Sequence, residues 1–177
     1  MKNKLVKNKK NKLNIKIGNN MKLLLFLIKF IIIFSILGFI LSIIDLSFLN
    51  NFIAFVSSSF LGLNFFENTV FVGTQTFVVT NYCTGFMSAI ILASIIFALR
   101  RPNLFKKFKI FLFGALLLLV INVPRVMLVL LFARAWIGID IELIHSITWF
   151  VMSAIILVIW YYVSRIVSKE KDISNLL

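Results

Sequence analysis

Three residues of this sequence are of types that together could carry out thiol chemistry. Cys83 is the only cysteine and follows a polar stretch at the start of a long apolar run, and His145 is the only histidine. A thiolate is a strong nucleophile, and imidazole is the side chain that exchanges a proton near neutral pH. Arg125 lies inside another apolar run, where a guanidinium needs a partner or a polar cavity. These residue types fit acyl transfer through a cysteine.

The composition predicts that membrane-spanning helices position these residues. The chain has 177 residues, of which 61% are hydrophobic and 20 are Phe, whereas soluble domains are about 45–50% apolar. Apolar runs of about 20 residues recur, which is typical of transmembrane helices. We therefore expect an all-α integral membrane protein, a bundle of about four transmembrane helices with a small extracellular loop or strand element.

The placement of the basic residues predicts the topology. The net charge is +13, and eight of the 19 Lys and Arg residues precede Leu23 while five more lie between Arg100 and Lys109. These clusters flank apolar runs, as cytoplasmic topology signals do, and do not form the basic face that nucleic-acid binding requires. We expect a multi-pass protein of the cell membrane with both termini cytoplasmic. Its predicted parts are a basic, disordered tail (1–22), a membrane domain (23–167) with spans at about 23–44, 84–99, 110–133 and 145–163, and a cytoplasmic tail (168–177).

Residues 45–81 contain no Lys or Arg, which predicts that they lie on the outer side. Within them, the apolar segment 46–63 is either an interfacial helix or a fifth span. A fifth span would place the Arg100–Lys109 cluster outside, so the interfacial position is favoured. The segment Thr69–Thr80 alternates with period two and is rich in β-branched residues, which predicts a strand or a small hairpin around Gly73.

This topology brings the three chemical residues to one depth. Cys83 lies at the outer end of the second predicted span, and His145 lies at the outer start of the fourth. Arg125 follows Ile110 by 15 residues, which is about 22 Å into a hydrocarbon core about 30 Å thick. A thiol, a guanidinium and an imidazole are therefore expected in one outer layer.

No acidic residue of the sequence falls within a predicted span, so no intramembrane carboxylate neutralises Arg125. Two interpretations follow. Either Arg125 extends outward to a lipid phosphate or to Asp140 or Glu142, or it faces a polar cavity and stabilises a negative charge that forms during a reaction. Asn122 precedes it by three residues and shares its helix face, and Pro124 predicts a kink beside both.

The residues around Cys83 predict an activated thiol. We expect a helix to begin at Thr84, capped by Asn81 or by Thr84 itself, which puts Cys83 at the positive end of a helix dipole. That position, with an arginine nearby, favours the thiolate. Gly85 permits a close backbone approach in the first turn.

The order and helical settings of these motifs resemble the exosortase/archaeosortase family. The matches are the Cys-Thr-Gly of 83–85, the Asn-Val-Pro-Arg of 122–125 and His145. The resemblance covers about 69–163, and the chain is shorter than the larger members, which have additional spans. It implies an enzyme that cleaves a C-terminal sorting signal, made of a short motif, a transmembrane helix and a basic tail, at the outer membrane face. The new C-terminus would pass to an acceptor, which the resemblance implies is a lipid.

By the same resemblance, Cys83 is the nucleophile, Arg125 the transition-state stabiliser and His145 the general acid and base. Some members of the family have Arg where this chain has His145. One cysteine and one histidine do not form a metal-ligand set, and we expect neither a metal nor a cofactor. The sequence contains no HExxH or GxSxG motif and no intramembrane aspartate pair, so other intramembrane hydrolases are disfavoured. The remaining alternative is a non-enzymatic small multi-span protein, a channel or an assembly subunit, in which Cys83 is inert and Arg125 is structural.

Overall fold

The computed structural model describes the backbone of residues 2–136 and 141–168, and the side chains of 21–136, 141 and 143–167. Its described elements are five helices, a three-stranded antiparallel sheet and one 3-10 turn. In chain order the elements are α1 (Lys2–Ile43), α2 (Ser47–Leu61), β1 (Asn64–Phe66), β2 (Thr69–Val72), β3 (Gln75–Val78), the 3-10 turn (Asn81–Thr84), α3 (Phe86–Ala98), α4 (Leu104–Ala135) and α5 (Ile141–Ser168).

Three helical segments in the described part of the chain are long and apolar enough to cross a membrane: Met21–Ile43, Leu104–Ala135 and Leu143–Val167. They are compatible with the predicted all-α membrane protein. The second predicted span corresponds to α3, which has only 13 residues and is about 20 Å long, less than the thickness of the hydrocarbon core. The predicted count of four spans therefore remains a prediction.

The N-terminal segment differs from the prediction. α1 is helical from Lys2 onwards, and its 42 residues include the stretch for which the sequence predicted disorder. The stretch contains no proline, and Lys and Leu are good helix formers. Because it continues an existing helix, each added residue extends the helix without a new nucleation step.

α2 is a helix of 15 residues, about 22 Å long, and it too is shorter than a typical span. Its position relative to the bilayer stays a prediction. The carboxylate of Asp45, just before the helix, accepts hydrogen bonds from the hydroxyl and the backbone N–H of Ser47. These two bonds hold the pKa of Asp45 below its usual range.

The predicted hairpin around Gly73 is present. β2 and β3 pair antiparallel with Val70 opposite Phe77, and Gly73 lies in the connecting turn with φ of 60°. Because the chain reverses there, Val70 and Phe77 share the buried face although they belong to opposite parities of the sequence. A third strand, β1, pairs with the outer side of β2. Its three residues are too few to show a period in the sequence.

Buried side chains form two clusters. One joins α2, the sheet, the C-terminal half of α4 and the start of α5, and it contains Cys83. The other joins α3, α4 and the rest of α5. α1 packs against α3. The 3-10 turn thus lies where the sheet and the helices meet, and it brings Cys83 into the interior.

Candidate functional site

Cys83 lies in the 3-10 turn, three residues before α3, and not directly before a helix as predicted. α3 begins at Phe86, two residues later than predicted, because Gly85 adopts a left-handed conformation with φ of 87° that ends the turn. Glycine is the residue that takes this conformation without a steric penalty. The thiol is therefore carried by a tight turn that precedes α3.

The two predicted capping residues have different roles. The Thr84 hydroxyl accepts a hydrogen bond from the backbone N–H of Phe86 at 3.4 Å and donates one to the carbonyl of Asn81 at 2.6 Å. The Asn81 side chain caps no helix. It donates to the carbonyl of Ile44 at 3.1 Å and accepts from the amide of Asn50 at 3.0 Å. Asn81 therefore joins the turn to the end of α1 and to α2.

The thiol and the imidazole lie next to each other. Cys83 Sγ lies 3.7 Å from His145 Nε2 and 3.7 Å from the hydroxyl oxygen of Thr80. The Cys83 residue is almost fully buried, with 1% of its surface exposed. The ring of Phe77 meets the imidazole edge-on, with a centroid distance of 5.7 Å and an interplanar angle of 88°. Packing thus fixes the imidazole beside the sulfur.

The nitrogen of His145 that faces the sulfur also accepts a hydrogen bond. Trp149 donates its indole N–H to His145 Nε2 at 3.2 Å, so Nε2 is the nitrogen that carries a lone pair in this arrangement. Thr148 donates its hydroxyl to the backbone carbonyl of His145 at 2.8 Å. Nε2 therefore lies between two donors, and it can accept the thiol proton once its lone pair exchanges the indole N–H for the thiol.

Arg125 is buried next to this pair, with 5% of its surface exposed. Its Nη1 donates to the Asn122 side-chain oxygen at 3.2 Å, and its Nε donates to the Thr148 hydroxyl at 3.3 Å. The guanidinium carbon lies 4.7 Å from the centroid of the Trp149 ring, a cation–π geometry. Its Nη2 is buried, and no hydrogen-bond acceptor reaches it among the described residues.

Arg125 therefore does not extend outward to a lipid phosphate, since its side chain is held inside the bundle. The interpretation that pairs it with Asp140 or Glu142 involves side chains outside the described residues. As predicted, Asn122 lies on the same helix face as Arg125. Pro124, where a kink was predicted, lies inside α4, and the helix continues through it.

Asn122 connects the arginine to the cysteine. While its oxygen accepts from Arg125, its amide nitrogen donates to the backbone carbonyl of Cys83. A Cβ atom at Gly85 would lie 3.0 Å from Asn122 Cβ, so the close approach at Gly85 is to the side chain of Asn122.

A cavity of about 590 Å³ opens beside the thiol and the imidazole. Its wall contains Cys83, His145 and all four residues of β3, and Arg125 is not among its lining residues. The guanidinium lies behind the pair and connects to it through Asn122, Thr148 and Trp149. The complete lining is Thr74, Gln75, Thr76, Phe77, Val78, Thr80, Tyr82, Cys83, Ile141 and His145.

Three residues of this site were not predicted from the sequence: Thr80, Thr148 and Trp149. The last two follow His145 by three and four residues on one helix, and this spacing places them on the face of the imidazole. That spacing was the available signal. Thr80 had no comparable signal, because the sequence did not predict the 3-10 turn that brings it to the sulfur.

No family model matches the chain, and comparison with curated proteins and with solved structures finds no significant match. The function must therefore be inferred from the residues and their geometry.

Proposed function

We propose that the chain is a membrane cysteine transpeptidase of the exosortase/archaeosortase type. It would cleave a C-terminal sorting signal of exported proteins at the outer membrane face and transfer the new C-terminus to a lipid acceptor. The observation that carries the proposal is the 3.7 Å separation of Cys83 Sγ and His145 Nε2 at the wall of a cavity of about 590 Å³. A nucleophile and a base within reach of each other, beside space for a substrate, are the components of covalent catalysis.

The first half of the reaction forms a thioester. His145 Nε2 accepts the thiol proton, and the sulfur attacks the scissile carbonyl carbon. The resulting tetrahedral intermediate collapses as the carbon–nitrogen bond breaks, and His145 gives its proton to the departing amine. The peptide C-terminal to the scissile bond leaves with its transmembrane helix.

Arg125 supplies positive charge for the oxyanion of that intermediate. Its buried Nη2 has no acceptor among the described residues, and Arg125 does not line the cavity. A bond from Nη2 to the oxyanion therefore requires the guanidinium to move toward Cys83 when the substrate is bound. Because Arg125 lies behind the cavity wall, it also acts through Asn122, which holds the Cys83 carbonyl. Removing one oxyanion donor typically costs about 10²–10³ in rate.

The second half transfers the acyl group. His145 takes a proton from the hydroxyl or amine of the acceptor, whose oxygen or nitrogen attacks the thioester carbonyl. The carbon–sulfur bond breaks, and the sulfur regains its proton. The apolar helices that hold the site support a lipid as the acceptor, because a lipid headgroup is concentrated at the depth where a transmembrane substrate presents its signal.

The nucleophile is tested by co-expressing the chain with an exported protein that ends in a short motif, an apolar helix and a basic tail. An internal epitope tag reports loss of the C-terminal helix as a shift in mass. Cys83→Ala and Cys83→Ser are expected to abolish processing. Processing at the wild-type rate in either variant would refute the assignment of Cys83.

Arg125→Lys tests the guanidinium, since lysine keeps the charge but lacks the planar fork of donors. We expect processing to fall at least about 100-fold. Arg134→Lys is a matched control on the same helix, because Arg134 donates to the carbonyl of Leu61 away from the thiol, and it should process normally. Equal activity of the two variants would contradict a catalytic role for Arg125.

The alternative is a non-enzymatic membrane protein in which these residues are structural. It is favoured by one observation: in the described part of the chain, Arg125 donates its hydrogen bonds to side chains of neighbouring helical residues, Asn122 and Thr148. Thiol labelling separates the two functions. An activated Cys83 would react rapidly with a membrane-impermeant thiol reagent, whereas an inert buried thiol would not.

A further inference from the structure

We infer that the substrate binds as an extended peptide that adds a fourth strand to the sheet along the free edge of β3. This inference rests on the proposed function, and it specifies how a peptide would reach Cys83. The strand order is β1-β2-β3, so β3 has a neighbour on one side only in the described sheet. The cavity beside the thiol is lined by every residue of β3 and by none of β2. The cavity therefore lies along the open edge of the sheet.

The register shows which backbone groups point into that edge. In antiparallel pairs, residues that exchange hydrogen bonds alternate with residues whose N–H and C=O groups point away from the partner. Val72 and Gln75 flank the two-residue turn and form a hydrogen-bonded pair, as do Val70 and Phe77. The N–H of Val79 donates to the carbonyl of Asn68 at 2.8 Å, which continues the same alternation.

The backbone groups of Thr76 and Val78 consequently point away from β2. Within the described part of the chain, no hydrogen bond outside the sheet reaches the backbone of either residue. Both side chains are exposed, and β3 carries no charged residue and no proline, the usual devices that protect an edge strand. The edge offers a donor and an acceptor at each of two positions.

These donors and acceptors complement an extended peptide. A strand added at an edge lies about 4.8 Å from its neighbour, and main-chain hydrogen bonds of this kind bind peptides with little regard to their sequence. The same cavity contains Cys83 and His145, so a peptide on β3 has its carbonyls within the space that the thiol faces. Alternate side chains of the peptide would point toward the face that carries Phe77, where they could be selected.

The test uses acetyl-tetra-alanyl vinyl sulfone, whose alkene forms a covalent bond with a thiolate. Since Cys83 is the only cysteine, the rate of adduct formation by mass spectrometry reports this site alone. Four further probes each carry one N-methylated alanine. Paired with β3, the peptide points alternate N–H groups at the strand, so methylation should slow labelling about fivefold at every second position and little at the others. A loss without this alternation, or no loss at any position, would overturn the inference.

Thr76→Pro provides a second measurement, because it removes an N–H from the open edge and leaves the β2–β3 ladder intact. It should slow labelling by the peptide probe about fivefold while labelling by methyl vinyl sulfone, which has no peptide, stays unchanged. Phe65→Pro is the matched control on the opposite edge, where the Phe65 backbone points away from β2. An unchanged peptide rate in Thr76→Pro, or an equal loss in Phe65→Pro, would contradict the inference.

The outcomes separate the binding mode from the proposed function. If labelling slows at every second N-methylated position but Cys83→Ala still processes substrate at the wild-type rate, the strand pairing is supported and the transpeptidase is refuted. If processing requires Cys83 but the labelling rates of the N-methylated probes do not alternate with position, the transpeptidase is supported and the strand pairing is refuted.

Discussion

Asn122 occupies the centre of the candidate site although it has no charge and is not a nucleophile. Its two ends hold different groups: the amide nitrogen donates to the carbonyl of Cys83, and the oxygen accepts from Arg125. Asn122 is fully buried, so both ends need partners inside the protein. The position of the thiol and the orientation of the guanidinium therefore depend on one side chain.

Replacing Asn122 by Ala should disturb both groups at once. The Cys83 carbonyl and Arg125 Nη1 each lose a buried partner, and each such loss costs about 1–3 kcal/mol. We expect a lower melting temperature and a drop of at least about tenfold in the labelling rate of Cys83. Asn68→Ala removes a similar amide–carbonyl bond, to Val79 at 3.1 Å, within the sheet. It should destabilise the protein without slowing the labelling, and an equal slowing would show that Asn122 acts only through stability.

Trp149 orients the imidazole that faces the sulfur, because its indole N–H donates to His145 Nε2 at 3.2 Å. Trp149→Phe keeps an aromatic ring over Arg125 but loses this N–H, so the imidazole is less firmly held beside Cys83. We expect the labelling rate of Cys83 to fall about fivefold, as for the loss of one hydrogen bond.

The control for this prediction is Trp160→Phe on the same helix. The indole N–H of Trp160 is buried without a partner in the described part of the chain, so its loss removes no hydrogen bond there. The labelling rate of Cys83 in this variant should match that of the wild type. A wild-type labelling rate in Trp149→Phe as well would show that the Trp149 hydrogen bond does not position His145.

At the residue scale, the sequence was sufficient to select Cys83, His145, Arg125 and Asn122. Their types are rare in apolar runs, and their expected depth follows from helix length alone. The contacts that surround them could not be obtained this way. Whether Arg125 points into the bundle or toward the surface depends on helix rotation, which span lengths do not determine.

At the scale of elements, the junction between the 3-10 turn and α3 decides where the thiol lies. Gly85 combines a positive φ with a close approach to Asn122 Cβ, whereas Gly73 has a positive φ and open space within 4 Å of the point that a Cβ atom would occupy. A substitution at Gly73 therefore tests backbone strain alone, whereas a substitution at Gly85 tests strain together with crowding against Asn122.

Gly85→Ala should add about 1–2 kcal/mol of left-handed strain and also push Asn122 away from Cys83. A displacement of about 1 Å at a reacting group can cost about 10²-fold in rate, so we expect processing and Cys83 labelling to fall by about this factor. Gly73→Ala should show a similar strain and near-normal labelling. Equal labelling rates in the two variants would contradict the positioning role of Gly85.

The sheet shows how far periodicity predicts an element. Alternation over Thr69–Thr80 was enough to place a hairpin at Gly73, because the turn glycine and β-branched residues are local signals. It did not give the faces, since the reversal puts Val70 and Phe77 on one side. The predicted start of α3 was wrong by two residues because the conformation of Gly85 depends on packing against α4 and not on the sequence nearby.

At the scale of the whole molecule, the helices differ in length relative to the thickness of a bilayer. α4 has 32 residues and is about 48 Å long, which is more than the thickness of the hydrocarbon core. α3 alone is about 20 Å long, and the 3-10 turn adds at most about 8 Å in the same direction. We expect the turn that carries Cys83 to complete this span, with the thiol close to the outer boundary.

This arrangement predicts four crossings, which reporter fusions can test. If the turn and α3 cross the membrane together, alkaline phosphatase should be active when fused after Asn68 and inactive after Pro102 or at the C-terminus, where a fluorescent protein should instead fold. If only α1, α4 and α5 cross, Pro102 lies outside and so does the C-terminus, and both reporters reverse. We expect the first result, because Arg100 and Arg101 follow α3 directly and basic residues remain on the cytoplasmic side. Replacing both arginines by glutamine should weaken this preference and give mixed reporter signals after Pro102, while the signal after Asn68 is unchanged.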